Sequence, residues 1–183
     1  GYGVDRFPKS WVKTYETLAR RAGLPVDRRV CEAVRKTAAA FTRGPYVPFD
    51  GAKEALMELQ REGHSLHLIT AGDKTLQEKK VRVSGLSSLF DSVNVTGVDK
   101  KPVMAKIVGE HKERVMMVGD STKSDVKPAI ELGIVAVHVP SHTWAFAQAD
   151  VDRRKYLVIS SISELPALVR KFMRRPRRAA RSA

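Results

Sequence analysis

Apolar residues recur every three or four positions through the first forty residues, then switch to short alternating blocks. Trp11, Tyr15, Leu18 and Ala22 mark one face of a helix that Gly23 and Pro25 close. The spacing predicts a second helix from Asp27, a suitable N-cap, through Val30, Val34 and Ala38 to Phe41. Residues 43–48, with Gly44, Pro45 and Pro48, read as a linker. From Asp50 onward, helices and strands take turns. Ala52, Ala55, Leu56 and Leu59 form a helical face stopped by Gly63, and 65–70 (SLHLIT) reads as a strand. A helix over 75–83, a strand over 92–96 (SVNVT) and a proline-opened helix over 102–110 follow. Residues 115–118 (VMMV) are apolar throughout, with Met116 and Met117 as core, as a strand covered on both faces requires. A helix over 124–132, strands over 135–139 and 157–159 and a last helix over 165–172 complete the pattern.

Strands separated by single helices imply parallel pairing through right-handed crossovers. The predicted fold is therefore α/β: a Rossmann-like parallel sheet layered with helices and preceded by a helical segment. The chain divides into helices over 1–47, an α/β core over 48–169 and a basic, disordered tail over 170–183.

Composition changes this picture little. The chain has 183 residues, 43% hydrophobic and 29% charged, which suits a globular protein with one sizeable core. Its apolar runs are too short to span a bilayer. Cys31 is the single cysteine and sits in a helical pattern beside Val30 and Val34, so a structural thiol is expected. With no secretory signal pattern at the start, a cytoplasmic location is expected. The formal charge is +13, but the stretch from Arg170 (RKFMRRPRRAARSA) holds seven basic residues and no acid, leaving +6 elsewhere. Such a run is usually a solvated tail; its sharper meaning is weak contact with a polyanion, and no nucleic-acid recognition motif accompanies it.

Candidate chemistry gathers at strand ends, where parallel sheets bind ligands. One strand ends in Thr70, followed by Ala71 and Gly72; another ends in Gly119-Asp120-Ser121, with Asp125 opening the next helix. Lys101 precedes Pro102 between them, and Lys100 competes with it. A hydroxyl and backbone N–H groups suit phosphoryl oxygens, a lysine offsets their charge, and carboxylates are hard ligands of the kind Mg²⁺ prefers. Asp125 would also serve as a plain helix cap, and Thr70 as a plain strand residue. The five histidines show no ligand spacing. Trp11 and Tyr15 pack on a helix face or wall a substrate site, while Trp144 and Phe146 line the site or simply pack. Lys123 reads as exposed charge.

The order and spacing of these residues, with VMMVGDSTKSD as the specific element, resemble the second, third and fourth motifs of the haloacid dehalogenase superfamily. The resemblance covers roughly 48–139, and the helices before Pro48 are similar to part of a helical cap. It implies a Mg²⁺-dependent phosphatase acting on a small phosphorylated metabolite through an aspartyl-phosphate. Thr70, Ala71, Gly72 and Lys101 would bind the phosphate, with Thr70 and Lys101 counted as catalytic. Asp120 would ligate the metal and Asp125 support it, with Gly119 and Ser121 shaping the loop.

The resemblance also implies a first motif, a strand ending in Asp-x-Asp whose first aspartate is the nucleophile. No such pair occurs here: Asp5 lacks an apolar strand before it, and Asp150-Val-Asp152 follows a helical stretch. The implied strand would be central, so its loss would open a gap of roughly 10 Å in the sheet. With Gly1-Tyr2-Gly3 as the opening, the expectation is a native protein with a further N-terminal segment, or a second chain supplying that motif. By itself the 183-residue chain is expected to be inactive. The alternatives are a metal-free dehalogenase on the same fold and a non-catalytic polyanion-binding module.

Overall fold

A computed structural model describes residues 5–40, 44–141 and 147–173. The alternation read from the sequence is present as an α/β fold with parallel strands and N-terminal helices. The chain forms two units, Gly1–Val47 with Leu68–Asp99, and Pro48–His67 with Lys100–Ala183. The boundaries at 67/68 and 99/100 have no counterpart in the sequence division.

In the first unit, α1 (Arg6–Arg21) and α2 (Arg28–Ala40) pack together, burying Val12 and Ala19 of α1 and Ala38 of α2. α1 ends where Gly23, at φ 69°, turns the chain back, so that Leu24 N–H reaches Ala19 O at 2.9 Å and Gly23 N–H reaches Arg20 O. Asp27 caps α2, its Oδ1 accepting from Arg29 N–H at 2.7 Å, and its own N–H donates to the Tyr15 hydroxyl at 3.1 Å. Cys31 is half-buried. The strands β1 (His67–Ala71) and β2 (Ser92–Thr96) pair in a two-stranded sheet, with α4 (Lys74–Val83) between them in sequence.

The second unit holds α3 (Ala52–Arg61), α5 (Lys101–Val108), β3 (Met116–Gly119), α6 (Lys127–Leu132), β4 (Val135–His138), β5 (Leu157–Val158) and α7 (Leu165–Met173). Its three strands run parallel in the order β3-β4-β5, with Met116 opposite Val135 and Gly119 opposite His138. Leu59, Val137, Val139, Ile159 and Leu165 form the core, with Leu66, Met116, Val118 and Val169 packed against it. The single layered sheet expected from the sequence thus takes the form of two hydrogen-bonded sets.

α7 runs through Arg170, which the sequence division assigns to the tail. The Arg170 guanidinium reaches Glu58 at 2.6 Å and Glu62 at 2.5 Å, joining α7 to α3. Residues 174–183, and with them the rest of the expected tail, lie outside the described residues, as do Phe41, Trp144 and Phe146.

A capping box precedes α7: Ser161 Oγ accepts from Ser163 N–H, and Glu164 reaches back to the N–H groups of Ser160 and Ser161. The Ser160 hydroxyl first, then the Ser161 N–H, holds the Glu164 carboxyl below the usual glutamate range. A carboxyl lowered by folding stabilises above its unfolded-state pKa and loses that contribution as the pH falls through its folded value. Glu164→Gln should therefore lower Tm near neutrality and match the parent protein at the acid end of the folded range. A constant offset at every pH would contradict this.

Candidate functional site

β3 delivers Asp120 to the carboxyl end of the parallel sheet of the second unit. The residues after it fold back sharply. Ser121 caps the next turn, its Oγ accepting from Ser124 N–H at 3.0 Å and donating to Ala147 O at 2.7 Å. Thr122–Val126 then form a π turn, with Val126 N–H donating to Ser121 O at 3.2 Å. Pro128 follows in the first turn of α6 and has no N–H to continue an α-helical ladder back to Ser124. The sequence reading of one helix over 124–132 missed this wider turn.

The turn carries Asp125 inward, where the residue is 1% exposed. Its Oδ2 accepts from Ser121 N–H at 3.1 Å and its Oδ1 from Lys100 Nζ at 2.7 Å. Both oxygens are thereby engaged, which offsets the several kcal/mol that desolvating each ion costs. Gly119 makes this possible, because a Cβ there would lie 2.6 Å from Asp125 Cβ and closer still to its carboxyl group.

The two adjacent lysines diverge. Lys100 is 16% exposed at the side chain and pairs with Asp125, whereas Lys101 and Glu131 meet at 2.6 Å with about two-fifths of each side chain in solvent. Sequence reasoning favoured Lys101 from its position before Pro102. Pro102 is the local feature that distinguishes the neighbours, whereas the partner that holds Lys100 is a distant carboxylate.

Asp120 has a different environment. Its Oδ2 accepts from Ser141 Oγ at 2.8 Å, and its main-chain oxygen meets His138 Nε2 at 3.0 Å. Oδ1 has no such partner among the described residues. Ser141 and His138 were not singled out by the sequence reading.

In the first unit, β1 presents Thr70 and Ala71. Thr70 Oγ1 donates to Gln77 Oε1 at 3.2 Å, and Gly72 N–H donates to Thr96 O at 2.9 Å. Gly72 has φ 152°, and a Cβ on it would meet the Gln77 amide at 2.5 Å. Asp73 then caps α4 through Leu76 N–H. The Thr70-Ala71-Gly72 turn is therefore shaped by Gln77 and Thr96, neither of which the sequence reading chose. Trp11 packs against Phe7 in the same unit, with ring centroids 5.3 Å apart.

Of the other acids weighed in the sequence, Asp152 is engaged locally and Asp5, at the start of α1, makes no side-chain cap bond. Asp152 caps a short 3₁₀ turn and pairs with Arg154, whose side-chain hydrogen bond holds its carboxyl below the usual range. No group of three or more His, Cys, Asp or Glu gathers around one point among the described residues. The donor set fits a hard divalent cation in part: Asp120 Oδ1 is available at the strand end, while Asp125 is committed to Ser121 and Lys100. Water and a phosphoryl group would have to complete an octahedron.

The sequence pattern of the family described as haloacid dehalogenase-like hydrolase matches residues 6–133. The chain belongs to that family. Among its curated relatives are N-acylneuraminate-9-phosphatase of Mus musculus, 28% identical over 128 residues, and glyceraldehyde 3-phosphate phosphatase of Methanocaldococcus jannaschii, 29% identical over 131 residues. These matches cover 66% and 67% of this chain but 51% and 57% of the relatives, so the chain spans little more than half their length. A haloacid dehalogenase-like hydrolase from Xanthomonas campestris superposes with a TM-score of 0.76 at 27% identity, covering 94% of this chain and 70% of that one. The fold is shared with a putative hydrolase of the family from Bacillus subtilis, solved bound to magnesium, at a TM-score of 0.56 and 19% identity, covering 88% and 82% of the two chains. No helix among the described residues of this family member is long and apolar enough to cross a membrane.

Proposed function

We propose that this chain is the metal- and phosphate-handling part of a Mg²⁺-dependent phosphatase that cleaves a small phosphomonoester through an aspartyl-phosphate. The observation that supports it most is Asp120 at the end of β3, its Oδ2 held by Ser141, followed directly by Ser121, whose N–H binds the Asp125 of the buried Lys100–Asp125 pair. In this reading Asp120 ligates the cation through Oδ1. Asp125 supports the loop through Ser121 and fixes the Lys100 ammonium, and Gly119 leaves room for the Asp125 side chain. Lys100 is the better-placed lysine for a phosphoryl oxygen, and Lys101 is the one that the motif spelling favours. By the motif order, Thr70 with the backbone of Ala71 and Gly72 is the turn whose hydroxyl and N–H groups are suited to phosphoryl oxygens. Bound Mg²⁺ would offset charge on the phosphoryl oxygens.

Residues 1–47 serve as part of a helical cap and 48–169 as the catalytic core in this proposal. The nucleophilic Asp-x-Asp is supplied by residues outside the 183, on the same polypeptide or on another. The names of the phosphatase relatives support a phosphorylated sugar acid or triose as the substrate class. The basic tail adds weak polyanion contact. Retention of both Asp120 and Asp125 weighs against a metal-free dehalogenase, whose chemistry has no cation to hold.

Purified 1–183 should release no phosphate from an aryl phosphate with Mg²⁺ present. The native gene product should release it, stop with EDTA and resume with added Mg²⁺. Turnover by 1–183 alone would refute the external nucleophile, and EDTA-resistant halide release from a 2-haloacid by the native product would replace the phosphatase reading.

A further inference from the structure

The β3–β4 register places Gly119 opposite His138, so the residues just beyond the two strands are neighbours. Three contacts join them. Val139 N–H donates to Gly119 O at 3.0 Å, His138 Nε2 meets Asp120 O at 3.0 Å, and Ser141 Oγ donates to Asp120 Oδ2 at 2.8 Å. Further along the same connection, Ala147 O accepts from Ser121 Oγ, while Ala149 N–H donates to Thr122 Oγ1 at 2.7 Å. The loop 120–122 is thus held by its own turn and, independently, by the segment that follows β4. Among the described residues of that segment, Ser141 touches the carboxylate itself.

We propose that Ser141 is a positioning residue for Asp120, its hydroxyl fixing the carboxylate so that Oδ1 is the oxygen offered to a divalent cation. The inference rests on the metal reading of Asp120. An aspartate carboxylate rotates broadly about its last torsion, and either oxygen can face a ligand. The Ser141 hydroxyl removes that ambiguity by occupying Oδ2. Hydrogen bonds of this kind to ligating carboxylates typically carry 10- to 100-fold in metal affinity.

The experiment is Mn²⁺ binding to the 183-residue chain, read by water-proton relaxation and by competition with Mg²⁺, together with Tm for each variant. Ser141→Thr and Ser141→Val have nearly equal bulk and differ in the hydroxyl. The valine variant should bind Mn²⁺ about tenfold more weakly, while the threonine variant stays near the parent, with similar Tm for the pair. Equal affinity in the threonine and valine variants would overturn the role of Ser141 and leave the metal site standing. Asp120→Asn binding as tightly as the parent would overturn the metal reading, and the role of Ser141 with it.

Discussion

Lys100→Met should lower folding stability by about 3 kcal/mol or more, the range found when one partner of a buried ion pair is removed. Asp125 would keep its charge at 1% exposure with the Ser121 N–H as its remaining donor among the described residues. The neighbouring substitution Lys101→Met should cost no more than about 1 kcal/mol, because the Lys101–Glu131 pair is solvent-exposed. Combining Lys100→Met with Asp125→Asn should recover part of the loss, since the amide oxygen can still accept from Ser121 without a stranded charge. Urea unfolding of the four proteins measures this. A Lys100 variant as tolerant as the Lys101 variant would sink the assignment of the buried pair.

Gly119→Ala is the second large effect. The added methyl would overlap the Asp125 side chain, with the nearest backbone-attached carbon at 2.6 Å. Asp125 must then move, and with it go its bonds to Ser121 N–H and Lys100. Overpacking typically costs about 1–3 kcal/mol, and the displaced carboxylate adds to that, so a loss of about 3 kcal/mol or more is expected. The Mn²⁺ affinity of Asp120 should fall together with stability, because Gly119 and Asp120 are consecutive. A Gly119→Ala protein with parental Tm and parental Mn²⁺ binding would show that the loop yields without cost.

Periodicity revealed most of the elements, because helices and strands here carry clear apolar spacing and punctuating glycines and prolines. The stop after α1 at Gly23 and the cap at Asp27 could be read directly from residue type. What local pattern could not supply was any choice made by a partner distant in sequence. Lys100 is selected by a carboxylate 25 residues away, Asp120 is held by a hydroxyl 21 residues away, and Thr70 is held by an amide 7 residues on in the next helix. In Lys-Lys-Pro the proline points to Lys101, and only the fold brings Lys100 to Asp125. The division into two units also escaped the sequence reading. β1 and β2 alternate polar and apolar residues whereas β3 and β4 are apolar runs, but pairing is a property of register rather than composition, so that difference alone does not divide the chain. The widened turn at 122–126 follows from Pro128, visible in the sequence but read only as part of a helix.

That turn acts as a ruler. It spends five residues between Ser121 and α6, and the last but one of them is Asp125. Shortening the interval by one residue would swing the acidic side chain by about 100° around the helix axis, away from the ammonium it now meets. The count of residues between the two aspartates is therefore constrained more tightly than their identity. Lys123, exposed on this turn, should tolerate replacement by other polar residues, while an insertion or deletion in this stretch would carry Asp125 away from Lys100.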